Sequence, residues 1–306
     1  MRFSTLAATA AVLSSVHAVG DLAFNLGVQN SAGCKTAADY KKELEVLSAY
    51  TSAVRVYAAS DCNTLQILGP VAEEAGFSIF QGIWPNDDAH FEAEQEALKT
   101  YLPTLKKSTI KAITVGSEAL YRDDMTASDL ASRIQTVKDL IADIKDSEGN
   151  SYAGTPVGFV DSWNVLVDGA AHPAIAASDI VFANAFSYWQ GQTKANSTFS
   201  FFDDIMQALQ TIQTDKGETD ITFWVGETGW PTDGSAFEAS VPSVENAAHF
   251  WQDAIGAMRG WGVNVIVFEA FDESWKPDTS GTSDVEKYWG VWDSDYQLKY
   301  DLTCNF

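Results

Sequence analysis

The chain has 306 residues, a formal net charge of −23, and 46% hydrophobic against 20% charged residues. Such a length can bury a sizeable core, as one large α/β domain or two ordinary ones, and the composition is that of a globular protein. Strong acidity without any Lys/Arg cluster excludes a nucleic-acid partner and suits a neutral polymeric one.

In chain order, Arg2 precedes an apolar run from Leu6 to Val16, and Val16-His17-Ala18 is a small-residue exit. This pattern predicts a secretory signal peptide over residues 1–18, too short to anchor in a membrane, and a secreted single-domain product over 19–306. Eight short apolar, β-branched runs then recur: Leu22–Val28, Val54–Ala58, Phe77–Trp84, Lys111–Gly116, Pro156–Val160, Ile180–Ala185, Ile221–Gly226 and Val263–Phe268. Several are nearly continuous in hydrophobicity, as parallel strands covered on both faces are. Helical spacing lies between most of them. Tyr40, Leu44 and Leu47 share one face within Thr36–Tyr50, and Thr126 with Asp129 resembles a capping box before Leu130, Ile134, Val137 and Ile141. Ser243 precedes Ala247, Phe250, Trp251, Ala254 and Met258, while the stretch Asp168–Ser178 carries Pro173 and is a shorter helix candidate. Alternating β and α units of this number predict a single-domain (β/α)8 TIM barrel. The alternative, a doubly wound open sheet, would bring a Gly-rich turn after its first strand, and Leu26-Gly27-Val28-Gln29 is not one.

Cys34, Cys62 and Cys304 make an odd count, consistent in an oxidising compartment with one disulfide and one free thiol. Three pairings are open; Cys34 and Cys62 both follow predicted strands and could meet at one end of a barrel. No CxxC or HExxH spacing points to a metal, so neither a metal nor a cofactor is expected. Asn196-Ser197-Thr198 is a glycosylation sequon.

Barrel chemistry sits beyond the C-terminal ends of the strands. Two glutamates stand there, Glu118 after Val115-Gly116-Ser117 on the fourth strand and Glu227 after Val225-Gly226 on the seventh. A carboxylate at the edge of a tight barrel is costly to desolvate unless other polar groups hold it, which favours a functional role. Strands four and seven face each other across the mouth, so the two carboxyls can flank a bound sugar. Glycoside cleavage needs one protonated carboxyl for the leaving oxygen and one carboxylate facing the anomeric carbon. A separation of about 5 Å gives retention of configuration.

The motifs Val115-Gly116-Ser117-Glu118-Ala119-Leu120-Tyr121-Arg122 and Val225-Gly226-Glu227-Thr228-Gly229-Trp230-Pro231 resemble those of glycoside hydrolase family 17, and most closely its fungal cell-wall branch of β-1,3-glucanases and glucanosyltransferases. The likeness extends through Val54-Arg55-Val56-Tyr57-Ala58-Ala59-Ser60-Asp61-Cys62, Asn184-Ala185-Phe186-Ser187-Tyr188-Trp189 and Phe268-Glu269-Ala270-Phe271-Asp272-Glu273-Ser274-Trp275-Lys276. The resemblance implies a β-1,3-glucan substrate, Glu118 as acid/base, Glu227 as nucleophile and Tyr188 in contact with that nucleophile. It also implies a supporting cluster of Glu273, Lys276 and Glu286, with Tyr57 and Ser117 lining the site. Ser117 stands where the wider clan carries Asn. Trp84, Trp163, Trp189, Trp230 and Trp275 lie near strand ends as candidate sugar platforms, Trp189 and Trp230 foremost. The expected partner is β-1,3-glucan in the cell wall, met by a monomer without membrane or nucleic acid. Two other classes compete: a non-catalytic β-glucan-binding protein, and a barrel hydrolase for another β-glycan.

Overall fold

A computed structural model describes residues 19–218, 221–277 and 284–304. The predicted signal peptide lies outside the described residues. Eight parallel strands close a barrel: β1 (Leu22–Asn25), β2 (Ala53–Val56), β3 (Ser78–Ile83), β4 (Ile110–Ser117), β5 (Val157–Ser162), β6 (Ile180–Asn184), β7 (Thr222–Glu227) and β8 (Asn264–Val267). Each strand pairs with its sequence neighbours, and β1 closes the ring on β8 through Leu22–Val265, Ala23–Ile266 and Phe24–Val267. The barrel is thus the predicted (β/α)8 fold, with every predicted strand present.

Helices cover its outside. Helix α1 (Ala37–Leu47) starts at a capping box in which the Thr36 hydroxyl accepts from the Asp39 N–H and the Asp39 carboxylate accepts from the Thr36 N–H. Helix α2 (Thr64–Ala75) and helix α3 (Asp88–Tyr101) follow. Helix α4 (Ala127–Ala142) is capped by Thr126 as expected, and buries Leu130, Ile134, Val137 and Ile141. The Pro173 stretch forms only the six-residue α6 (His172–Ala177), behind the short α5 (Trp163–Val167). Helix α7 (Lys194–Lys216) carries Asn196 in its first turn, so the sequon is helical. Helix α8 (Val244–Phe250) runs on through a wider π turn, Trp251–Gly256.

The disulfide joins Cys34 to Cys62, with Cα atoms 5.3 Å apart. It ties a small hairpin, Gln29–Asn30 paired with Gly33–Cys34, to the turn that follows β2. Cys304 is free and partly buried.

The barrel interior explains how the mouth is built. Side chains two residues apart on a strand face the same way. Ala23, Ala53, Phe80, Phe182, Trp224 and Ile266 fill an apolar layer, with Phe80 edge-on to Trp224 at 4.7 Å and to Phe182 at 5.6 Å. Two residues further along three of these strands come Asn25, Arg55 and Asn184, all essentially inaccessible to solvent. A polar layer therefore lies directly above an apolar floor, at the C-terminal end where the sequence places the glutamates.

Candidate active site

Glu227 ends β7 in register with Asn184 of β6. The glycine before it is required by space: a Cβ on Gly226 would meet Asn184 Oδ1 and Val160 Cγ1 at 2.7 Å. Arg55 reaches Glu227 from β2, donating from Nη1 to Oε1 at 2.7 Å. The Ser117 hydroxyl lies 3.1 Å from the same oxygen, and Arg55 Nη2 donates to Ser117 at 3.1 Å. Asn25 fixes the guanidinium in turn: its Oδ1 accepts from Arg55 at 3.0 Å while its Nδ2 donates to the Gly226 carbonyl at 3.1 Å. Four strands thereby hold one carboxylate in one orientation, through a charge-assisted network that engages both terminal nitrogens of a buried guanidinium and leaves its Nε without a partner.

Glu118 is held differently. The β4–β5 register shifts between Thr114 and Ser117, Gly116 has φ +81°, and Glu118 itself has φ +55°. An irregularity of this kind at a barrel rim re-aims the side chains that follow it. The Glu118 N–H donates to the Val160 carbonyl, which keeps the residue on β5 as it turns into the mouth. Its carboxyl receives one side-chain bond, from Asn184 Nδ2 at 3.0 Å. Burial, then the charge of Glu227 facing it, push the Glu118 carboxyl up to about 7. Asp161, on β5, accepts from the N–H groups of Leu120, Tyr121 and Ser162, and so pins the loop after Glu118. Burial lifts Asp161 to about 6 against those three bonds.

Both glutamates open into one cleft of about 630 Å³, walled by Trp163, Phe186, Trp189, Phe237, Phe268 and Trp289. A concave, largely aromatic site with a few convergent polar groups is what a sugar chain needs. Glu286 also lines it, its carboxyl raised by burial. Behind the cleft, Lys276 Nζ bridges Glu273 at 2.6 Å and Glu269 at 3.3 Å. Burial pulls the Lys276 ammonium down, but Glu269 and Glu273 together hold it above its usual value.

The residues expected from sequence divide into three groups. Glu118, Glu227, Ser117 and Trp189 meet at or directly beneath the cleft, with Trp163 beside them. Glu273 and Lys276 form the supporting cluster, joined by Glu269 and linked electrostatically to Glu286. The others do not line the cleft. Tyr57 packs its ring on the Arg55 guanidinium at 4.6 Å, and its hydroxyl is buried. Tyr188 donates its hydroxyl to the Ser235 carbonyl at 2.7 Å instead of to Glu227, because its ring is wedged edge-on among Trp189, Trp230 and Trp289. Trp230 is buried, donates to the Val241 carbonyl at 3.0 Å and packs on Phe250, leaving no free face for a sugar. Trp84 sits under the Arg122 guanidinium, and Trp275 lines a separate small depression. Sequence reasoning assigned no role to Arg55, Asn25, Asn184, Asp161 or Trp289. A charge inside the apolar run Val54-Arg55-Val56 was a usable signal, since a buried guanidinium demands a partner.

Sequence comparison places this barrel in a known family. Residues 22–304 match the profile described as Glycosyl hydrolases family 17. The chain belongs to that family. It is 64% identical to a glucan 1,3-beta-glucosidase of Saccharomyces cerevisiae over the full length of both chains, and 63% identical to glucan 1,3-beta-glucosidase BGL2 of Candida albicans, again over both full lengths. Among solved structures, an active-site mutant of Rhizomucor miehei beta-1,3-glucanosyltransferase in complex with laminaritriose superposes with a TM-score of 0.77 at 28% identity, covering 93% of this chain and 98% of the other. Membership of family 17 makes this a glycoside-processing protein.

Proposed function

We propose that this family 17 protein is a retaining, β-1,3-glucan-active hydrolase or transglycosylase of the cell wall, with Glu118 as acid/base and Glu227 as nucleophile. The observation that carries the assignment is the unequal treatment of the two carboxyls. Glu118 is desolvated and holds its proton up to about pH 7, the form that can protonate a departing glycosidic oxygen. Glu227 is oriented by Arg55 and Ser117 through one oxygen, Oε1, which leaves Oε2 as the attacking atom.

In the first half-reaction Glu118 gives its proton to the leaving oxygen while Glu227 Oε2 bonds to the anomeric carbon and the glycosidic bond breaks. In the second, Glu118 takes the proton of the incoming hydroxyl as its oxygen displaces Glu227. Water as acceptor gives hydrolysis, and a sugar hydroxyl gives a longer glucan. Tyr57, packed on the guanidinium, and Asn25 act as positioning residues for Arg55. The substrate class is supported by the names of the full-length relatives and by the laminaritriose bound to the Rhizomucor enzyme.

The test is product analysis by mass after incubation with a reduced laminari-oligosaccharide, with cello-oligosaccharides in parallel. We expect turnover of the laminari series only; products longer than the starting sugar would establish transfer, and only shorter ones plain hydrolysis. No turnover of either series would sink the catalytic reading in favour of a binding protein.

We further propose that the protein is secreted. The basic start and apolar run over residues 1–18 and the disulfide support this. Protein recovered from culture medium should begin at Val19 on N-terminal sequencing; retention of Met1 would overturn the proposal.

A further inference from the structure

Outside the catalytic cleft, three side chains of metal-binding type converge between the turn after β2 and helix α3. Asp61, His90 and Glu94 bring one imidazole nitrogen and two carboxylate oxygens within 4.8 Å of one another. His90 Nε2 lies 3.0 Å from Asp61 Oδ1 and 3.4 Å from Glu94 Oε1. His90 and Glu94 stand one turn apart on α3 and share a face, whereas Asp61 arrives from a different segment, so no local spacing in the sequence announces the group. Glu94 is fully buried and its carboxylate is fixed by backbone donors. Oε2 accepts from the Ala59 N–H at 2.7 Å, and Oε1 from the Ser60 N–H at 3.1 Å and from the Ser60 hydroxyl. The group is short of positive charge. A neutral imidazole has one Nε2 proton to offer two carboxylates, and among the described residues neither carboxylate pairs with a Lys or Arg.

A divalent ion of the zinc class fits this deficit. Its bonds to nitrogen and oxygen are about 2.0–2.1 Å, which sets tetrahedral ligands about 3.3 Å apart. The two separations made by His90 Nε2, 3.0 and 3.4 Å, bracket that value. Imidazole with carboxylates suits zinc and its neighbours better than calcium, which takes about six to eight oxygens. Two carboxylates and a neutral imidazole balance a dication. The Ala59 and Ser60 donors behind Glu94 are of the kind that orient ligating carboxylates from the outer shell. We propose that Asp61, His90 and Glu94 form a site for a zinc-class divalent transition metal, completed by water, that staples the turn after β2 to α3. In it His90 binds through Nε2 and keeps its proton on Nδ1. The turn itself gives the staple a purpose. Cys62 and Asn63 both take left-handed backbone, at φ +51° and +52°, which non-glycine residues hold only where their surroundings enforce it. The bond from Cys34 to Cys62 ties this turn to the hairpin on one side, and the ion ties it to α3 on the other. The same segment continues β2, the strand whose Arg55 holds Glu227.

The experiment strips the whole protein with a chelator and titrates it at neutral pH with Co2+, whose visible spectrum reports its coordination, then with Zn2+ in competition. Saturable one-to-one binding with a tetrahedral Co2+ spectrum, displaced by Zn2+, is expected. Zn2+ at about a hundred times its dissociation constant should raise the thermal unfolding midpoint by about 5 °C. His90→Gln and Asp61→Asn, conservative changes at partly exposed side chains, should each weaken binding at least about tenfold and cancel the shift while circular dichroism stays native. His172→Gln and His249→Gln remove imidazoles that each face one carboxylate, and should leave binding unchanged. A wild type that binds neither Co2+ nor Zn2+ saturably would overturn the site. So would binding that survives both His90→Gln and Asp61→Asn, or a thiolate absorption band placing the ion at Cys304.

Discussion

The ends of β4 and β7 carry the same side chain and treat it in opposite ways. At β7, Glu227 receives a guanidinium and a hydroxyl, and the guanidinium is itself braced by Asn25. At β4, Glu118 receives one amide N–H and faces another carboxylate. The difference teaches that the two environments come from neighbours contributed by other strands: Arg55 from β2 and Asn184 from β6. On the proposed assignment, two carboxyls in one cleft take two roles because their environments separate them.

Removing either carboxyl tests the comparison most severely. Glu227→Gln should lower turnover of laminari-oligosaccharides by more than about 10⁴-fold, since no covalent intermediate can form. Glu118→Gln should lower it by about 10²–10⁴-fold, and less for an aryl glycoside whose leaving group needs no proton. Near-normal kcat in either purified variant, or equal loss on both leaving groups for Glu118→Gln, would erase the distinction.

Arg55 decides whether Glu227 is held by charge or by shape. Arg55→Met leaves a buried carboxylate without its cation, so stability should fall by about 3–5 kcal/mol in urea denaturation. The double variant Arg55→Met/Glu227→Gln should recover much of that loss, because the stranded charge is gone. Additive losses would mean that the guanidinium stabilises the barrel independently of the carboxylate.

The same contrast governs how much was legible in the sequence. The eight strands were readable because parallel strands covered on both faces are continuous in hydrophobicity, and the glutamates because each ends such a run shortly after a glycine. The partners that differentiate them were harder to find. Asn25, Arg55 and Asn184 come together only when the barrel closes, from positions far apart in the chain, and no local pattern encodes that layer. Aromatic rings misled in one direction. Tyr188, expected against the nucleophile, and Trp230, expected as a sugar platform, both turn into the wall behind the cleft, while Trp289, distant from any strand end, lines it. Ring orientation depends on the packing of neighbours such as Phe237 and Phe250, which strand position does not specify.

The pH response separates the sites more gently. If Glu118 supplies the proton, kcat/KM on unactivated substrates should fall above about pH 7 as that proton is lost. Burial is the larger cause of the raised value and the facing Glu227 the next, so Glu227→Gln should move the Glu118 midpoint down without restoring it to 4.5. Carboxyl carbon NMR on glutamate-labelled protein reads this directly; an unmoved midpoint would show that the two carboxyls do not sense each other.

The smallest effect is one of stability, and its sign is specific. Glu118 titrates at about 7 in the folded chain against its usual 4.5, so between those values the folded state keeps a proton that the unfolded state has released. Stability contributed by this group is therefore full below about pH 4.5 and declines as pH rises to about 7. Glu118→Gln keeps the neutral shape and the bond to Asn184 while removing the ionisation. The variant should match the wild type at pH 4 and exceed it at pH 8 by on the order of 1–3 kcal/mol in denaturant midpoints. The analogous change at Glu227 replaces the carboxylate facing Arg55 by a neutral amide and leaves that buried cation without its counter-charge, so it should destabilise the chain at pH 8. A gain at the end of β4 and a loss at the end of β7 would show that the fold tolerates one carboxyl for its chemistry and depends on the other for its architecture.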